Sequence, residues 1–252
     1  MKLKSIVHGW TLFSLGALIV PLAGFGERDA APAERPAIAR QTLARTAAYL
    51  WGKQSPDGSW RSETYGLLKS GQSFTPFVLF ALSEVPTVVA APPEGAIERA
   101  MNFLRRMGTE EGVHGRADPD VLDYPNYATA YALRCFLRYG KKDDKKRIEN
   151  MAKYLFGQQF SEAAGFHPES PAYGGWGFGI NHRPTLSSFV DLSHTRRVLA
   201  ALAAANKVDA KTKGKAKHFL SLLQKNPKEK RSPLIPTTKP ITSGFIPPPY
   251  DG

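Results

Sequence analysis

At 252 residues, 42% of them hydrophobic, the chain is long enough for one or two domains and apolar enough to bury a core, which excludes disorder over most of its length. Its formal charge is +12, and its single cysteine, Cys135, excludes an internal disulfide. Surrounded by apolar neighbours on a predicted helix, Cys135 is expected to be a small buried hydrophobe.

Lys2 and Lys4 precede an apolar run from Ser5 to Phe25, and Ala23, Gly24 and Gly26 place small residues near a cleavage point. Residues 1–26 therefore predict a secretory signal peptide. The run is also close to the roughly 20 residues a membrane helix needs, so a retained anchor is the alternative. Residues 27–37, rich in Ala and Pro, predict a linker. Export without disulfides points to a bacterial protein of the periplasm, the cell envelope or the extracellular space.

The next segment carries Leu43, Ala47, Leu50 and Trp51 at helical spacing, giving a helix with one apolar face. Gln54-Ser55-Pro56-Asp57-Gly58-Ser59-Trp60 follows. Its Pro fixes φ, its Gly accepts positive φ and its Asp bonds nearby backbone, so the chain turns there. Phe74 to Val85 is apolar nearly all round and predicts a buried second helix. The pattern then returns. Tyr49-Leu50, Phe103-Leu104, Tyr154-Leu155 and Phe219-Leu220 stand late in successive first helices, spaced 54, 51 and 65 residues apart. Second helices are predicted at Tyr127 to Tyr139 and Ser187 to Ala205. A fourth first helix, Lys215 to Gln224, has none after it. Such periods mark stacked helical hairpins, here 38–90, 94–140, 143–207 and an incomplete 210–252.

Between these helices lie the polar candidates. Asp118, Asp120 and Asp123 are spaced like a loose calcium loop but lack its turn glycine and closing glutamate, so they are expected to solvate the loop. Gly174 to Gly179 is glycine-rich but has neither the preceding strand nor the Lys-Ser or Lys-Thr of a phosphate loop. His114, His167, His182 and His218 are isolated, and each is expected to face solvent. No metal or cofactor is expected. From Lys207 to Arg231 nine Lys and Arg face only Asp209 and Glu229, which predicts a solvated basic face able to attract an anionic lipid or glycan at a membrane surface. No nucleic-acid module is recognisable, so no nucleic-acid partner is expected.

Gln54 followed by Asp57-Gly58-Ser59-Trp60 resembles the Gln-Trp repeat of squalene and oxidosqualene cyclases, and the hairpin layout is similar to that of protein prenyltransferase β-subunits. Gln159 (or Gln158) with Gly174-Gly175-Trp176-Gly177 is a stretched copy, and Gly112-Val113-His114-Gly115 a copy without the Trp. The resemblance covers roughly residues 38 to 252 and implies an all-α fold, an α/α toroid, here an incomplete ring. Gln54, Asp57, Gly58, Trp60, Gln159, Gly175 and Trp176 would then be structural. Because the chain stops at Asp251-Gly252, the dipeptide that precedes the Trp in the first repeat, it reads as the N-terminal part of a longer protein.

The same resemblance aligns Asp191-Leu192-Ser193-His194-Thr195-Arg196 with the cyclases' acid motif, whose proton donor falls on Ser193. A hydroxyl is far too weak an acid to protonate a hydrocarbon. The prenyltransferase zinc site is matched only in part, its cysteine falling on the same Ser193. Asp191 and His194, three residues apart on one helix face, remain as a candidate catalytic pair or as a cap with a packed histidine. The expectation is an exported repeat protein that binds an apolar (isoprenoid) or anionic ligand without the family's catalytic acid. The alternative is a terpenoid cyclase or prenyltransferase whose remaining catalytic groups lie beyond Gly252; glycan cleavage on a similar helical ring is a third reading. The oligomeric state is left open.

Overall fold

A computed structural model describes residues 35–116, 123–179 and 190–224. The chain divides into two compact units, Met1–Ala39 and Arg40–Gly252. Of the first, residues 35–39 are described, as the start of a helix. The packing below belongs to the second.

Seven α-helices and short 3-10 turns make up the described residues, with no strand among them, so the fold is all-α. The helices are α1 (Arg35–Gly52), α2 (Phe74–Ser83), α3 (Ala96–Met107), α4 (Pro125–Tyr139), α5 (Lys145–Gly157), α6 (Leu192–Ala204) and α7 (Ala210–Leu223). α1 begins at Arg35, inside the stretch expected as linker. α4 takes Pro125 at its first turn, where the missing N–H costs nothing. α6 and α7 are capped by aspartates: Asp191 accepts from the His194 N–H at 2.8 Å and Asp209 from the Thr212 N–H at 2.6 Å. The signal peptide, Asp118, Asp120, His182, residues 225–231 of the basic stretch and the rest of the chain to Gly252 lie outside the described residues.

The helices pack in two layers. α4 lies between α2 and α6, while α3 packs against α2 and α4, and α5 against α4 and α6. One continuous core fills the space between the layers, built from Leu79, Met101, Phe103, Leu104, Leu133, Phe136, Met151, Leu155, Val198 and Leu202, with Trp60 and Trp176 at its edge. Cys135 belongs to it: its thiol donates to the Pro76 carbonyl, and burial pushes its pKa up.

Burial departs from expectation in two helices. α2 is not covered all round among the described residues, for Thr75, Val78, Leu79 and Leu82 are buried while Phe74, Phe77 and Phe80 are only partly so. In α1, Leu43 remains 40% exposed and only Ala47, Leu50 and Trp51 reach the core.

The three loops between first and second helices are built alike. In the first, the Trp60 indole donates to the Leu50 carbonyl at 2.6 Å and the Trp60 N–H to Thr75 Oγ1 at 2.9 Å. In the third, Trp176 donates to Leu155 at 2.8 Å and its N–H to Thr195 Oγ1 at 3.0 Å. The Gln54 amide donates to the Gly58 and Ala96 carbonyls at 3.1 and 2.9 Å, and Gln159 to those of Gly174 and Thr212 at 3.0 and 3.1 Å. Each glutamine thus ties its own loop to the start of the next first helix, α3 or α7. Asp57 instead stays local, binding Ser59 and pairing with Arg61, which holds its carboxyl well below the usual range.

The second loop uses different residues for the same bonds. His114 Nε2 meets the Leu104 carbonyl at 3.1 Å, and the His114 N–H donates to Thr129 Oγ1 at 3.0 Å. Contrary to the expectation that it faces solvent, His114 is fully buried, because it holds the place of the missing tryptophan.

Glycine is required at the equivalent turn of each loop. Gly58, Gly112 and Gly174 have φ of 92°, 82° and 88°, and a Cβ there would lie 2.2 Å from Arg99 O, 2.5 Å from Met151 N or 1.9 Å from Lys215 O. Gly175 is equally closed in, since its Cβ would lie 2.4 Å from Val190. The third loop is longer because it carries a small core of its own, Phe160, Phe166, Ala172 and Tyr173, in which the two phenylalanines stack at 4.4 Å.

Candidate functional site

The second helices all begin at one end of the layer, and the loops there are bolted to one another. Asp123 is 2% exposed. Its carboxylate accepts from the Ser70 hydroxyl at 2.7 Å and the Ser73 N–H at 3.3 Å, while the Ser73 hydroxyl donates to the Asp123 carbonyl. Rather than solvating its loop, as the sequence suggests, Asp123 joins that loop to the first hairpin. Gln72 adds to the joint, its Oε1 accepting from the N–H groups of Gly115 and Arg116 at 2.7 and 3.0 Å. Asn126 makes the corresponding link to the third hairpin, with its N–H on Phe178 O at 2.9 Å and its amide on Gly177 O at 2.8 Å. Between these joints Tyr124 adopts φ 47°, in the left-handed region that tyrosine rarely enters.

The joints frame a cavity of 290 Å³ lined by Leu68, Ser73, Phe74, Phe77, Tyr124, Tyr127 and His194. Its wall is aromatic. Phe77 lies edge-on to Tyr131 at 5.2 Å and tilted against Tyr127 at 6.0 Å. Such a concave, mostly apolar space with a few polar groups is what a small-molecule site requires.

His194 is the cavity's buried polar side chain of acid–base type, 7% exposed and surrounded by Phe178 at 5.0 Å, Tyr127 at 5.8 Å and Tyr124 at 6.2 Å between ring centres. Asp191, the cap of α6, also contacts His194 Nδ1 through its second carboxylate oxygen. One aspartate therefore both starts the helix and orients the ring. With Nδ1 facing the carboxylate, Nε2 points away from it and is buried without a partner among the described residues. Ser193 is exposed.

The other expected positions fall elsewhere. Gln54, Trp60, Gln159 and Trp176 lie in the joints between hairpins and do not line this cavity. His167 is exposed, and His218 is partly exposed, contacting the Pro168 carbonyl. On α7, Lys211, Lys213 and Lys217 are exposed, whereas Lys215 pairs with Glu162 and lies against the Tyr173 ring. Sequence reasoning missed Tyr124, Tyr127 and Phe77 as lining residues. Their signal was present in the half-buried face of two helices whose apolar residues exceed one core-facing stripe.

No protein-family model matches the chain, and no curated protein or solved structure is significantly similar to it.

Proposed function

We propose that this chain is an exported α/α-toroid repeat protein of the prenyltransferase and squalene-cyclase type, acting in the cell envelope as a binding or scaffold protein for an apolar ligand. The observation that carries the reading is the aromatic cavity at the start of α2, α4 and α6, with Phe74, Phe77 and Tyr127 in its wall and the His194 ring in its lining. The repeated Gln bonds to Ala96 and Thr212, and the Trp or His bonds to Leu50, Leu104 and Leu155, support the family resemblance. The export signal rests on the sequence of residues 1–26.

A second reading, acid–base chemistry at His194, is favoured by the carboxylate-oriented imidazole in an apolar surround. It would make the chain part of an isomerase or transferase of the terpenoid type.

Titration with the neutral dye Nile red tests the binding reading. The chain is expected to give a saturable fluorescence rise that Phe77→Asp abolishes and Leu220→Asp leaves intact. Leu220 lines a separate 770 Å³ groove between α6 and α7. Loss of the signal in Leu220→Asp alone would overturn the assignment.

A further inference from the structure

Between the middle turns of α4 and α6 lies a small, partly open cavity of 70 Å³, lined by Ala130, Tyr131, Arg134, Arg197 and Ala200, with the exposed Arg196 at its rim. Three guanidiniums border a space that admits only a small group, and the lining contains no carboxylate. Elsewhere in the second unit Arg105 pairs with Glu98 and Asp144, Arg138 with Glu84 and Arg147 with Asp144, while Arg99 and Arg106 donate to carbonyls. Arg134, Arg196 and Arg197 form no ion pair among the described residues.

Aromatic rings hold two of these charges in place instead. The Arg134 guanidinium lies 4.1 Å from the Phe80 ring centre, and that of Arg197 lies 5.3 Å from Tyr131 and 5.9 Å from Tyr127. Among the described residues Arg197 Nε is buried without a hydrogen-bond partner, and the buried Tyr131 hydroxyl meets that of Tyr127. Gathering like charges around one small space is unfavourable unless an anion enters it, and the unpaired buried donor at Arg197 Nε adds to the cost.

We propose that this cavity is an oxyanion site, taking one phosphate- or sulfate-sized group between Arg134, Arg196 and Arg197 with the Tyr131 hydroxyl as a neutral donor. The planar guanidiniums suit bidentate bonds to such a group. Burial raises the Tyr131 pKa, so its hydroxyl stays a donor. The occupant is either a free ion or the head of a phosphate monoester, whose organic part would lie against Phe80. This site shares no lining residue with the apolar cavity and is independent of the function proposed for it.

Calorimetric titration of the full chain at fixed ionic strength, with inorganic phosphate and phenyl phosphate as probes, tests the site. Saturable binding is expected, weakened about tenfold or more by Arg134→Gln and by Arg197→Gln, and unchanged by Lys217→Gln on the separate basic face of α7. Tyr131→Phe, which removes one hydroxyl and no charge, is expected to weaken binding several-fold and carries the test if an arginine variant fails to fold. Equal affinity for the two probes marks a free ion, and tighter binding of phenyl phosphate marks an ester. No saturable binding by the parent chain, or an equal loss in Lys217→Gln, would overturn the proposal.

Discussion

His114 stands in the second hairpin where Trp60 stands in the first: each ring nitrogen meets the carbonyl of a leucine ten residues earlier, Leu104 at 3.1 Å and Leu50 at 2.6 Å. Each backbone N–H also donates to a threonine hydroxyl fifteen residues later, Thr129 and Thr75. Since a carbonyl only accepts, His114 must carry its proton on Nε2. The imidazole reproduces the indole's hydrogen bond, but it brings a titratable group into the core.

That substitution predicts acid sensitivity. Burial, with Arg147 nearby, lowers the His114 pKa from 6.5 to about 4. Above pH 6.5 both folded and unfolded chains hold it neutral, and its contribution is flat. As pH falls from 6.5 to 4 the unfolded chain takes a proton that the folded chain refuses, so stability drops, by about 3 kcal/mol in all. Below pH 4 the loss from this group stops. Asp57 and Glu162, held low by Arg61 and Lys215, titrate beneath this window. Urea midpoints from about pH 7 to 4 should fall for the parent chain and far less for His114→Gln; parallel curves would refute the assignment.

The tryptophans should be worth a large aromatic truncation. Trp60→Ala and Trp176→Ala are each expected to cost about 3–5 kcal/mol. Gln54→Ala, which leaves two carbonyls unmet, is expected to cost about 1–3 kcal/mol. An unchanged melting temperature in Trp60→Ala would show that the joint between hairpins does not depend on the indole.

Glycines should divide by what their missing Cβ would meet. Gly174→Ala combines positive φ with a Cβ 1.9 Å from Lys215 O, and backbone strain alone costs about 1–3 kcal/mol. Gly214→Ala, inside α7 with nothing within 4 Å of its Cβ, should stabilise by about 0.5–1 kcal/mol. Chemical denaturation of the two variants should move in opposite directions, and a shared direction would contradict the geometry.

The all-α class and most of the helices were legible because apolar spacing and turn chemistry are local. Leu50, Leu104 and Leu155, marked only by their aromatic neighbours, supply the carbonyls on which each loop is hung. Thr75, Thr129 and Thr195 escaped notice, since a threonine in a helix has no local signature of a tertiary bond. Asp123 and His114 were misplaced for a related reason: a polar residue in a loop is solvated unless another hairpin covers it, and the covering groups are Ser70, Ser73 and Arg147, distant in sequence. The aromatic cavity needs residues from the first, second and third hairpins together, which no single spacing reveals.

Ser193, which the proposed resemblance sets at the position of the cyclases' acid, is exposed, and this leads to a chemical prediction. Incubated with squalene, the chain should return it unchanged on product analysis, because a serine hydroxyl cannot protonate an alkene. Formation of hopene would sink this reading.

The claim that Phe74, Phe77, Tyr124 and Tyr127 receive an apolar ligand is tested most directly by photolabelling with a neutral aliphatic diazirine, followed by peptide mapping. The account predicts labels in peptides spanning residues 68–77 and 124–131, competed by unlabelled apolar compound and lost in Phe77→Asp. Labels confined to residues 199–224, along the groove between α6 and α7, would contradict it.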